Sequence, residues 1–107
     1  MRPILFAALL ALVSTGAFGA DTLVSLTLKD HKFSPAEIHV KADTPTTVSL
    51  TNNDAETEEF DSTSLKIEKV VVGHSTGTMR WRPLAPGRYP FMGEFHSEIA
   101  QGVVIAE

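Results

Sequence analysis

From residue 20 onward the apolar residues of this chain alternate in short runs cut off by turn residues, and that pattern restricts the chain to sheet structures. In "TLVSLTLK", Leu23, Ser25 and Thr27 fall on one side and Val24, Leu26 and Leu28 on the other. "EIHVKA" sends Ile38 and Val40 one way and His39 and Lys41 the other; "TTVSLTN" repeats the pattern with Val48 and Leu50. Further β-branched and aromatic runs follow in "LKIEKVVV", "TMRWRPL", "RYPFM" and "GVVIAE". Between them stand "FSPAE", "DTPT", "TNNDAE", "VGHSTG" and "PLAPGRY", rich in Gly, Pro, Asn and Asp, whose backbone preferences and short side chains favour turns. Many short strands at this spacing predict an all-β sandwich or barrel, with at most one turn of helix in "DSTSLK".

The N-terminus follows a different rule. Arg2 precedes the apolar run "ILFAALLALV", and small residues follow in "STGAFGA". A basic start, an apolar run too short to anchor in a bilayer and a small-residue exit make a secretory signal. Ala17 and Gly19 suit the positions before a cut at Ala20, so residues 1–19 are expected to be a signal peptide and 20–107 one small domain. The chain has no cysteine, which excludes both a lipid-anchored lipoprotein and the disulfides that usually help small exported domains. Stability then has to come from packing, with any bound metal adding to it through linkage. The formal net charge is −4, and losing Arg2 makes the balance more acidic still. That argues against a nucleic-acid partner and for cationic ligands.

Four histidines and an acidic loop carry the remaining chemistry. His39 alternates with Ile38 and Val40, and His74 lies in a turn, so both read as solvated. His31 shares parity with Phe33, and His96 follows Phe95 in the C-terminal loop "YPFMGEFHSEIAQG"; the two become interesting only if they converge. In "NNDAETEEFDS" five of the eight residues from Asp54 to Asp61 are acidic, ordinarily a solvated loop. Glu58 and Glu59, however, stand directly before Phe60, where the apolar pattern resumes, so one of them is expected to face inward. A carboxylate beside two imidazoles suits Fe, Mn, Cu(II) or Zn. Met92 and Phe91 point to opposite faces; a Met92 turned toward His96 would soften the site toward Cu(I). No Ser lies in a "GxSxG" setting and no Gly-rich phosphate loop exists.

Taken in order, "KFSPAEIHVKA", "TTVSLTNND", "APGRYPFMGEFH" and "GVVIAE" resemble bacterial cupredoxin-like domains across nearly the whole of residues 20–107. With "EEFDS" after the "TNND" turn and "AQG" after the last histidine, the chain is most similar to small exported cupredoxins of ferrous-iron permease systems, including EfeO-type domains. The resemblance implies a cupredoxin-like Greek-key β-sandwich. It also implies where metal binds. Blue-copper members use a His, then a Cys, a His and an axial Met. Here those positions fall on Glu58 (or Glu59 with a one-residue slip), Gly93, His96 and the neighbourhood of Gln101. Without a thiolate there is no blue-copper centre. The implied protein is periplasmic and binds copper or iron through His31, His96 and Glu58 or Glu59, with Met92 or Glu94 completing the shell. Its implied partners are periplasmic or membrane iron-transport components, and ferroxidase-type activity is left open. The alternatives are a periplasmic copper carrier and a metal-free β-sandwich that docks a partner.

Overall fold

Alternation becomes burial in the computed structural model, which describes residues 22–107; the segment read as a signal peptide lies outside the described residues. The described chain forms β1 (Thr22–Lys29), β2 (Lys32–Ser34), β3 (Glu37–Val40), β4 (Thr46–Asn52), β5 (Glu58–Ser62), β6 (Ile67–Val71), β7 (Ser75–Trp81), β8 (Gly87–Gly93) and β9 (Gln101–Ala106). A single 3-10 turn, Glu94–His96, joins the path from β8 to β9, and residues 63–66 form a turn without helix. One sheet has the order β2-β1-β4-β7 and the other β3-β9-β8-β5-β6. The pairs β1/β4 and β3/β9 are parallel and the rest antiparallel, giving the expected all-β, Greek-key sandwich.

The faces fall as the period of two requires. Leu26 and Leu28 of β1, Ile38 and Val40 of β3, and Val48 and Leu50 of β4 are buried, while Leu23 and His39 look outward. At the centre Phe60 stacks on Phe91 (4.9 Å between ring centroids) and on Trp81 (6.0 Å). Phe33 meets Phe60 and Phe91 edge-on. Such pairs add about 0.5–1.5 kcal/mol each beyond the area they bury. Their position matters more here. Phe60 lies two residues beyond Glu58 on the same face of β5, and Phe91 two residues before Gly93 on β8, so the aromatic layer is the floor on which the candidate site stands.

The inward face of β4 ends in a fully buried polar residue, Asn52. Its amide nitrogen donates to the carbonyls of Glu56 (2.8 Å) and Val71 (3.0 Å), and its oxygen accepts from the Asp54 N–H (2.9 Å). A buried amide with its bonds made costs little, and this one fixes the course of the acidic loop. The turn between β6 and β7 presses on the same loop. His74 N–H donates to the Asp54 carbonyl, and a Cβ at Gly73 would collide with the backbone oxygen of Ala55, so only glycine fits there.

Candidate metal centre

His31 reaches the site through a two-residue hairpin. Lys29 pairs with Lys32, leaving Asp30 and His31 at the tip with φ of 53° and 61°. Two consecutive left-handed residues define the turn that matches strand twist, a conformation that Asn-Gly or Asp-Gly adopts readily and histidine does not. The strain is offset by Asp54, whose two carboxylate oxygens accept the N–H groups of Asp30 (2.7 Å) and His31 (2.9 Å). Burial pushes the Asp54 carboxyl upward, but the bonds from His31 and Asp30 and the charges of His31 and Lys29 outweigh it and hold the group below the usual carboxylate range.

His96 arrives from the other sheet, on the 3-10 turn after β8. The Ile99 and Ala100 N–H groups both donate to its carbonyl, and Gly93 N–H donates to the Ala100 carbonyl, closing residues 93–100 into a compact loop. Against His96 lies Glu58, 1% exposed. A carboxylate is buried so completely only when its lone pairs are occupied. Here the Phe95 N–H (2.8 Å) and Glu59 N–H (3.1 Å) donate to Oε1, while His96 Nδ1 stands 2.7 Å from Oε2. Room for the Glu58 side chain comes from Gly93, where a Cβ would fall 2.7 Å from Glu58 Cδ and 2.8 Å from Ala100 Cβ.

The two imidazoles stack, with ring centroids 3.7 Å apart and planes 16° from parallel. One nitrogen each from His31 and His96 and one oxygen from Glu58 lie within 4.8 Å of one another. Near-parallel rings aim their in-plane lone pairs side by side, so a shared ion requires one ring to turn. The donor set, two imidazoles and a carboxylate without sulfur, fits copper(II), iron or zinc.

Of the residues singled out in the sequence, His31, Glu58 and His96 are brought together; Glu59 and Met92 are not. Glu58 takes the inward face of β5, which turns Glu59 to the outer one. Met92 lies between the buried Phe91 and Gly93 and so projects from the outer face of the sheet, opposite Asp61 of β5. It lines a groove of about 430 Å³ there with Ser62, Pro90 and Gln101. Glu94 also turns to that face, where a hydrogen bond with Asp61, together with burial and the neighbouring Asp61, Glu59 and Glu68 charges, raises its carboxyl above the usual range. Two residues of the acidic loop escaped the sequence reading. Asp54 anchors the His31 hairpin, and Glu56 Oε1 stands 3.3 Å from His31 Nε2 and 3.6 Å from His96 Nε2. The available signal was period two within the loop itself: Asp54, Glu56 and Glu58 alternate with Ala55 and Thr57.

Fold and site together define a class: a two-sheet Greek-key sandwich whose loops at one end collect imidazoles and carboxylates. More particularly, the chain belongs to the Cupredoxin-like domain family, which it matches over residues 3–106. It is 40% identical over 82 residues to an uncharacterised protein of Rickettsia prowazekii, covering 77% of this chain and 66% of that one, so it spans about two thirds of its relative's length. Among solved structures it superimposes on auracyanin A, a "blue" copper protein of Chloroflexus aurantiacus. The TM-score is 0.71 at 13% identity, covering 82% of this chain and all of the other. Amicyanin of Paracoccus versutus gives 0.62 at 18% identity, covering 86% and 87%. At those identities the likeness is one of fold.

Proposed function

We propose that this protein is a thiolate-free member of the family that binds a copper or iron ion at His31 and His96, with Glu58 supplying the buried negative charge of the site. One observation carries the reading: residues 31, 58 and 96, far apart in sequence, bring their donor atoms within 4.8 Å of one another above an aromatic floor. A desolvated carboxylate bonded to one of two stacked imidazoles, drawn from three separate chain segments, is the kind of cluster that marks a functional site.

In the same reading the protein is exported to the periplasm and serves ferrous-iron uptake as an accessory to transport components. Carboxylates stabilise Fe(III) over Fe(II) more than neutral donors do, because the added charge meets a negative group, and this supports a role in assisting iron oxidation. The copper-carrier alternative loses its thioether, because Met92 lies on the other face of the sheet, and keeps the preference of nitrogen and oxygen donors for Cu(II). A Cu(II) and Fe(II) titration of the parent protein against the His31→Ala, His96→Ala double variant tests the proposal. Stoichiometric binding by the parent and none by the variant is expected; equal binding by both would sink it. A metal-free docking module would instead show no thermal shift with any ion, whereas a ligand at a hundred times its dissociation constant adds about 2.7 kcal/mol.

A further inference from the structure

We propose that Glu56, on the solvent side of the two imidazoles, is a metal-binding carboxylate of this site, and that Glu58 holds His96 from behind without touching the ion. The proposal rests on the metal-binding reading above and names the residue that captures the cation.

Distances separate the two carboxylates. Two donors on one tetrahedral ion at 2.0–2.1 Å stand about 3.3 Å apart. Glu56 Oε1 is 3.3 Å from His31 Nε2 and 3.6 Å from His96 Nε2, so it faces both rings within about that span before either ring turns toward a shared ion. Glu58 Oε2 is 2.7 Å from His96 Nδ1, a hydrogen-bond length with room for a proton and none for an ion.

Hydrogen bonding supports the same division. An ionised carboxylate only accepts, so a neutral His96 bonded to an ionised Glu58 gives it the Nδ1 proton and keeps its lone pair on Nε2, on the side where Glu56 lies. A ligating histidine that gives its other N–H to a carboxylate is the usual way a protein fixes tautomer and ring orientation. Glu58 is also tied to the N–H groups of Phe95 and Glu59 and is fully buried. Glu56 has the opposite character. Its backbone carbonyl is fixed by Asn52, while its side chain is 66% exposed, an anchored arm that meets an arriving cation first.

The test is a titration of the protein with Cu(II) alone, comparing the parent with Glu56→Gln, read by affinity, by the Cu(II) electron paramagnetic resonance spectrum and by the metal-free melting temperature. Glu56→Gln is expected to weaken binding about tenfold or more and to change the spectrum as an oxygen donor is lost, with the metal-free melting temperature unmoved. Unchanged affinity and spectrum, in a protein whose binding disappears in the His31→Ala, His96→Ala variant, would overturn the role of Glu56 and leave the site standing. Weaker binding with an unchanged spectrum would overturn it too, because a charge acting at a distance leaves the ligand set alone. Binding retained in the double-histidine variant would overturn both readings.

Discussion

His39 and His96 each sit among carboxylates, near opposite ends of β9, and the same three functional groups behave differently in the two places. His39 presents Nδ1 to Glu107 at 2.9 Å and Nε2 to Glu37 at 2.8 Å, with all three side chains at least half exposed. Both ring nitrogens are taken, and the hydrogen bonds to Glu107 and then Glu37 raise the imidazole above its ordinary value. A doubly protonated ring has no lone pair to give a metal. At the other end one carboxylate is buried, it engages a single nitrogen of His96, and a second imidazole is stacked alongside. Composition does not distinguish the regions. Burial of one carboxylate and convergence of separate chain segments do.

The sharpest way to break the comparison is to exchange which histidine is lost. The His31→Ala, His96→Ala variant is expected to lose Cu(II) binding entirely, while His39→Ala binds as the parent does; calorimetric titration reads both, and weakened binding in His39→Ala would erase the distinction. Next comes Gly93→Ala. Its methyl would meet Glu58 Cδ at 2.7 Å and Ala100 Cβ at 2.8 Å, against a residue that cannot retreat. Overpacking of that kind costs about 1–3 kcal/mol, so the melting temperature should fall and Cu(II) affinity with it. Asp54→Ala removes the acceptor for two N–H groups of a strained hairpin. A loss of about 2 kcal/mol is expected from chemical denaturation, with weaker metal binding because His31 is no longer held.

The smallest effect belongs to the exposed triad. With its folded value raised above 6.5, His39 contributes stability that is fully present below pH 6.5 and fades as pH rises through that raised value. Melting temperature against pH should therefore slope downward above 6.5, more weakly in His39→Gln. High salt should flatten the slope in the parent, because these charges are solvated.

Most of the sandwich could be read from alternation alone, because a strand with one buried face repeats every two residues whatever its neighbours. That was enough for β1, β3 and β4, and it placed His39 in solvent. Parity also put Met92 opposite Phe91; with Phe91 in the core, Met92 had to point away from the site although it lies on β8 only four residues before His96. The His31 hairpin was not legible. Nothing in "KDHK" announces two left-handed residues, since the acceptor that makes them tolerable, Asp54, comes from a distant loop. Glu56 was missed for a related reason: a run of charges reads as solvated, and only its distance to two imidazoles gives it a different character.

The position of β9 has a consequence for the order in which the molecule comes together. It lies between β3 and β8, in register with Glu37–Val40 on one side and residues 87–92 on the other, and β3 has no other neighbour in its sheet. Pairing β3 with β9 closes a loop of more than sixty residues, the kind of contact that slows folding. Until residues 101–106 arrive, the loop that carries His96 is tethered at one end only. If residues 31, 58 and 96 bind metal as proposed, the site is complete only once β9 has paired with β3 and β8, so ion binding and closure of this sheet are expected to be coupled.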